Sequence, residues 1–209
     1  MSEKLITIIT VVYNSVDLIE DTIKSIIQFD SEDYEYIVVD GGSIDGTVEI
    51  IEKYLNNIDL FISEADKGIY DAMNKGIRVS SGEFIVFINC GDRLLKLPFK
   101  ELSQNRDNSI NCFPVYLSNM IKFYPENNWK LKIRNRLPHQ GCYYKNSKEL
   151  IYDLSYKVYS DFDLNQKYYK NKNKIKVFDE PIVAFHDMGG ISNDKKYIKE
   201  VSEVIKNNF

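Results

Sequence analysis

Residues 84–92 read Phe84-Ile85-Val86-Phe87-Ile88-Asn89-Cys90-Gly91-Asp92, five large apolar side chains running into an amide, a glycine and a carboxylate. An unbroken apolar run of this kind predicts a strand covered on both faces, as in a parallel sheet. Its polar tip then lies where the strand leaves the sheet. In open α/β sheets that is where ligands bind.

The same pattern repeats upstream. Leu5–Val12 reads as a buried strand ending in Tyr13-Asn14, followed by a helix that Asn14 or Ser15 can cap, with Leu18, Ile19, Ile23, Ile26 and Ile27 on one face. Tyr36–Val39 is a second strand, ending in Asp40-Gly41-Gly42-Ser43, and Thr47–Leu55 a second helix. Leu60–Ile62 is a short strand that runs into Glu64-Ala65-Asp66-Lys67. Ile69, Ala72, Met73, Gly76 and Ile77 then mark a third helix. Strand and helix in strict alternation predict an α/β fold, a mostly parallel sheet with helices on both faces. Four strand ends place three carboxylate clusters and a Tyr-Asn pair on one rim.

The second half is less regular. Asn111–Leu117 and Met120–Tyr124 suggest a hairpin about Ser118-Asn119, and Leu137–Gly141 is loop chemistry. Phe162–Tyr169 reads as a helix, Ile175–Phe178 and Ile182–Phe185 as short strands, and Lys196–Lys206 as a final amphipathic helix. No linker interrupts the chain, so residues 1–209 are expected to form one domain, softly divided near residue 100.

Of the 209 residues, 44% are hydrophobic and 28% charged, an ordinary globular mix. A net charge of −4 gives no overall field favouring nucleic acid. Two cationic runs stand out: residues 129–136, WKLKIRNR, and residues 167–176 with five lysines. Both suit a solvated face or a phosphate-rich partner. Cys90, Cys112 and Cys142 have no metal or redox spacing and are expected as reduced thiols in a cytoplasmic protein. MSEKLITIITVVYN is too short in apolar residues for a signal peptide, and no run approaches a spanning helix.

Each polar cluster admits a structural and a chemical reading. Asp92 on its turn either terminates a strand or holds a divalent cation against a diphosphate. Gly41-Gly42-Ser43-Ile44-Asp45-Gly46-Thr47 is glycine-rich without being a Walker loop or a dinucleotide fingerprint; Asp45 or Ser43 can cap a helix, and Asp40 can accept from a base or ribose. Lys67, Asp71 and Asn74 fall at i, i+4 and i+7 on one polar helix face, and Lys67 near the N-terminus suits a phosphate. Asp161 and Asp163 in SDFDL cannot both face one site; one of them, suitably placed, can deprotonate a hydroxyl. His139 and His186 are lone loop histidines.

Taken together, ITVVYN, VVDGGSIDGT, DKGIYDAMNKGIRVSSGEFIVFINCGD, PHQGCYY, SDFDL and HDMGGIS resemble the family-2 glycosyltransferases, inverting enzymes with the GT-A fold, and most closely their bacterial colanic-acid, exopolysaccharide and capsule branch. The resemblance implies a Rossmann-like three-layer α/β/α domain, residues 1–100 forming the nucleotide-sugar and metal half and 101–209 the acceptor side. It implies nucleotide-sugar contacts from Val12, Tyr13, Asn14, Asp40, Gly42, Ser43, Asp66, Lys67, Asp71, Asn74, Asn89, Cys90 and Gly91. Asp92 matches the last aspartate of the family's metal motif and would bind Mn2+ or Mg2+, with His186 near it. Asn89 and Gly91 stand where many relatives carry aspartates, and Gly41 where a second aspartate often meets the base. Asp161 matches the catalytic base; His139, Gln140 and Asp163 fall on the acceptor or sugar side. The implied activity is transfer from a nucleotide sugar, a UDP-sugar by family weight, to a glycan or lipid-linked acceptor in cell-surface polysaccharide synthesis, in the cytoplasm or peripherally at the inner membrane face. Two rival readings remain. One is a non-catalytic nucleotide-sugar or glycan-binding module derived from such an enzyme. The other is a sugar-1-phosphate nucleotidyltransferase, whose basic glycine-rich N-terminal loop VVYNS lacks.

Overall fold

The computed structural model describes residues 4–187, 189 and 195–209. Strand β1 (Ile6–Val12) is buried along its whole length. Successive side chains of a strand point to opposite faces, so Ile6, Ile8 and Val12 enter one apolar cluster and Ile9 and Val11 the other. β1 lies between β2 (Tyr34–Asp40) and β4 (Phe84–Phe87), parallel to both, and β3 (Leu60–Ser63) adds a parallel edge beside β2. Helices α1 (Ile19–Ile27), α2 (Thr47–Glu52) and α4 (Phe99–Gln104) contribute Ile23, Ile51 and Leu102 to the first cluster. α3 (Ile69–Val79) and α5 (Ser160–Lys170) contribute Met73 and Leu164 to the second. The expected three layers, helices on both faces of a mostly parallel sheet, are present.

The second half completes the same sheet. β9 (Cys142–Lys145) runs antiparallel between β4 and β6 (Ile110–Cys112), and β10 (Ile175–Val177) pairs with β6 in parallel. The seven-stranded order is β10-β6-β9-β4-β1-β2-β3. A smaller sheet has the order β5-β11-β7-β8, built from β5 (Arg93–Leu94), β7 (Val115–Leu117), β8 (Lys122–Phe123) and β11 (Ala184–His186). The last helix, α6 (Ile198–Asn208), packs beside α5.

Two expected elements are differently arranged. The hairpin exists only in its outer part, where Val115 faces Phe123 and Tyr116 faces Lys122. Its inner residues belong to the large sheet, because Pro114, with no N–H to continue a ladder, divides β6 from β7. α2 stops at Glu52, and Leu55–Asn57 form a separate 3-10 turn.

Beyond β4 the chain stays against β1: Ile88 N–H donates to Ile9 O and Cys90 N–H to Val11 O. Thr10, fully buried in β1, clamps this exit by donating to Ile88 O at 2.8 Å, and the Tyr36 hydroxyl lies 3.1 Å from the same Oγ1. With the Thr10 proton committed to Ile88, Tyr36 is the donor. Thr10→Val strands a buried hydroxyl and a carbonyl. It is expected to lower stability by about 1–3 kcal/mol in urea melts, and adding Tyr36→Phe should restore part of that loss.

Candidate active site

The ends of β1 and β2 are tied together by side chains. The Asp40 carboxylate is fully buried and accepts from Gly42 N–H, Ser43 N–H, Ser43 Oγ and Ser63 Oγ. Ser43 Oγ in turn accepts from Asn14 N–H at 2.8 Å, and Asn14 Oδ1 accepts from Ile44 N–H at 2.9 Å. Asn14 holds φ 44°, a left-handed conformation asparagine tolerates. Asp45 accepts from Val16 N–H and Thr47 N–H, anchoring the loops before α1 and α2. In this structure the acceptor capacity of Asp40 goes to Ser63 and to the Gly42-Ser43 turn, which it positions. Val12 is buried, whereas Tyr13, 59% exposed, presents a free ring at the rim.

Asp66 comes close to that ring. A Cβ at Gly41 would overlap the Asp66 carboxylate and lie 3.4 Å from Tyr13 Cδ2, so a larger residue at 41 would displace Asp66. Asp66 Oδ1 accepts from Gly68 N–H and Asp71 Oδ2 from Lys67 N–H, which shapes the start of α3; the Lys67 side chain is exposed. Asn74 does not share the polar face expected for it. It is buried, and its amide clasps the Tyr152 backbone, donating to Tyr152 O at 2.8 Å and accepting from Tyr152 N–H at 2.9 Å.

The exit of β4 is different in kind. Gly91 takes φ 96°, a turn that favours glycine, and aims Asp92 inward. Asp92 is only 3% exposed. Its Oδ2 accepts from Gln140 Nε2 at 2.8 Å; its Oδ1 accepts from His186 Nδ1 and from Asp187 N–H, each at 2.9 Å. Burial alone would depress the His186 imidazole, but the hydrogen bond and charge of Asp92, with Asp187 and Asp161 beyond, hold it above its ordinary value. Asn89 Oδ1 is buried without a hydrogen-bond partner among the described residues. Burial pushes the Cys90 thiol up to about 12, which keeps it protonated. Among the described residues no three His, Cys, Asp or Glu side chains gather into a metal cage.

On the opposite wall stands Asp161, half-buried in the first turn of α5. Asn135 Nδ2 donates to its Oδ2 at 2.8 Å, and the Tyr70 hydroxyl sits 3.2 Å from Oδ1 while also bonding Val158 O. Burial raises the Asp161 carboxyl to about 6, against hydrogen bonds from Phe162 N–H, Tyr70 and Asn135 that oppose the rise. Asp163, by contrast, turns away: it is buried against α6, bound by Asn208 at 2.9 Å and Lys167 at 2.6 Å. His139 stacks on Phe87 with centroids 5.1 Å apart and shares a 2.8 Å hydrogen bond with Tyr152 Oη. Burial, with His186 nearby, drives its imidazole down to about 3, so it is neutral.

These walls enclose a cleft of about 500 Å³. It gathers Asn89, Cys90, Asp92, His139, Gln140, Asp161 and His186. Tyr13, Asn14, Gly42, Ser43, Asp66, Lys67 and Asp71 lie outside it, along the strand-end rim. Of the HDMGGIS segment, residues 188 and 190–192 lie outside the described residues. Tyr70, Asn135 and Asp187 line the cleft without having been foreseen. Asp187 carried a signal, the carboxylate beside His186. Asn135 sits inside a cationic run and Tyr70 on a helix, and neither spacing marks it.

Between pH 3.8 and about 6 the native Asp161 holds a proton that the unfolded chain has released, so stability falls as pH rises through that window. Asp161→Asn removes this penalty. The variant is expected to exceed the parent by up to about 3 kcal/mol at pH 8, with the difference vanishing near pH 3; urea melts at the two pH values measure it.

Residues 7–96 match the family model "Glycosyl transferase family 2". The "PGL/p-HBAD biosynthesis glycosyltransferase" of Mycobacterium bovis (strain BCG / Pasteur 1173P2) is 24% identical over 218 residues, covering 96% of this chain and 85% of that protein. The "Cholesterol galactosyltransferase" of Borreliella burgdorferi is 28% identical over 159 residues, covering 75% of this chain and 43% of that one. Structures of S. aureus TarS 1–349 with UDP and with UDP-GlcNAc superpose with TM-scores of 0.76 and 0.78 at 20% identity. They cover 97% of this chain, which spans 64% and 66% of those chains. No helix among the described residues is long and apolar enough to cross a membrane. Residues 7–96 are thus similar to the family-2 glycosyltransferases, and they are carried on a GT-A-like α/β fold that extends over nearly the whole chain.

Proposed function

We propose that the protein is an inverting glycosyltransferase that moves a sugar from a UDP-sugar to a glycan or lipid-linked acceptor in cell-surface polysaccharide synthesis. The observation that carries this reading is Asp161. It is a carboxylate raised to about 6 at the wall of a cleft whose other end is the polar exit of β4. A base of that strength is ionised near neutrality and still accepts a proton usefully. An acceptor hydroxyl gives its proton to Asp161 as its oxygen bonds to the anomeric carbon. The bond to the diphosphate breaks on the opposite face, and its electron pair leaves on the phosphate oxygen. An α-linked donor therefore gives a β-linked product.

Residues 1–100 then form the donor half, with Tyr13 and Asp66 beside the base, and residues 101–209 the acceptor half. The UDP and UDP-GlcNAc bound by TarS support this choice of donor. Mn2+ or Mg2+ fits a sparse set of ligands: the Asp92 carboxylate, the unpartnered Asn89 Oδ1 and the neighbouring His186. When bound, the ion offsets charge on the departing diphosphate. A lipid-linked acceptor is supported by apolar cleft residues Leu117, Phe123 and Leu137, by the exposed Met120 and Ile121 at the β7–β8 tip, and by the sterol named for the Borreliella relative. In WKLKIRNR, Lys130 and Arg136 are engaged by Glu126, while the exposed Lys132, which lies over the Phe209 ring, and the exposed Arg134 support contact with a membrane surface or phosphate. The rival reading, a binding module without turnover, draws on Asp92, both of whose oxygens already hold protein donors.

UDP release from a panel of UDP-sugars, supplied with lipid-linked acceptors and with Mn2+ or Mg2+, tests the proposal. One donor should turn over, with losses of about 10²–10⁴-fold in Asp161→Asn and a comparable loss in Asp92→Ala. UDP binding with no turnover in any combination would favour the binding module. Lys132→Glu with Arg134→Glu is expected to weaken co-sedimentation with anionic phospholipid vesicles several-fold; unchanged binding would remove the membrane-surface assignment.

A further inference from the structure

We infer that Asn135 and Asn165 are positioning residues for Asp161, arranged with Tyr144 as a one-way chain of hydrogen-bond donors that holds its carboxylate in the proton-accepting form and orientation. The inference rests on the reading of Asp161 as the base, and it adds three residues to which neither the motifs nor the family match assigns a role.

The direction of the chain follows from what each group can do. An ionised carboxylate only accepts, so the Asn135 atom 2.8 Å from Asp161 Oδ2 must be the amide nitrogen. Asn135 Oδ1 is then left facing Asn165, whose Nδ2 lies 3.1 Å away. Leu137 N–H donates to the same Oδ1 at 3.3 Å, which fixes the Asn135 amide independently of Asp161. Asn165 must therefore turn its oxygen to the Tyr144 hydroxyl, at 2.9 Å, and Tyr144 donates. Tyr144 and Asn165 are fully buried, so no water is needed to complete the series. Three donors point the same way, from β9 through α5 to the segment before His139, and end on the carboxylate. Reversing the series would set the Asn135 amide nitrogen against Leu137 N–H and leave the Tyr144 proton without a partner in the chain.

Burial favours the neutral acid, and the chain favours the anion. The remaining titratable groups that face Asp161 are Tyr70 from α3, Tyr152 and Tyr159 from the loop before α5, and His186 from β11. Of these, Tyr70 bonds the carboxylate on its other oxygen. Asn135 thus controls Oδ2, and the tension between burial and donors sets where the base titrates.

The test follows the Asp161 side-chain carboxyl by 13C NMR, its signal assigned by loss in Asp161→Asn. Asn135→Ala should move the titration upward by more than about half a pH unit. The nearly isosteric Tyr144→Phe should move it the same way by less, and near-UV circular dichroism identifies the folded variants. The acid limb of kcat should rise in step while KM for the donor stays constant. A titration unchanged in both folded variants overturns the inference. If the titration moves but Asp161→Asn retains full transfer, the chain stands and the assignment of Asp161 as base falls.

Discussion

The structure depends on the burial of one charge, the Asp92 carboxylate. A carboxylate with 3% exposure must find donors to replace its lost hydration, and Asp92 finds three, on Gln140, His186 and the Asp187 backbone. They come from the turn before β9 and from the end of β11, so the need to satisfy Asp92 draws the second half of the chain onto the exit of β4. Thr22 in α1 completes the tie, donating to Asp92 O and accepting from Gly91 N–H. The turn is held from both sides of the sheet, and the cleft forms in front of it.

The cleft pairs two differently prepared ends. At one, Asp92 is met by donors from Gln140, the Asp187 backbone and His186, whose imidazole its hydrogen bond and charge hold above the ordinary value. At the other, Asp161 is kept between burial, which favours the acid, and donors, which favour the anion. His139, neutral and stacked on Phe87, adds no charge between them. A group transfer that develops negative charge on a leaving group and releases a proton elsewhere needs such an asymmetry.

How much of this was legible follows from the physics of each signal. The parallel half declared itself because strands buried on both faces read as unbroken apolar runs, and β1, β2 and β4 do. β9 did not, since CYYK shows neither period clearly and its place between β4 and β6 is fixed by long-range pairing. Site residues divide in the same way. Asp92 and Asp161 were visible as carboxylates at element ends, and both reach the cleft. Asp40, Asn74 and Asp163 looked equally able to bind a ligand, but the fold consumes their polar atoms with Ser43, Tyr152 and Asn208. Sequence shows which groups can accept a hydrogen bond; only the packed structure shows which are still free to do so. Asn135 illustrates the converse, an amide in a cationic run whose partner lies 26 residues away.

The most direct measurement is a crystal structure of the protein with a UDP-sugar and Mn2+, in the Asp161→Asn background to slow turnover. The account predicts the uracil against Tyr13 and Asp66, the diphosphate at Asn89–Asp92, and the anomeric carbon in the cleft with its open face toward residue 161. A nucleotide bound away from the β4 exit, or a sugar whose open face is turned from residue 161, would contradict it.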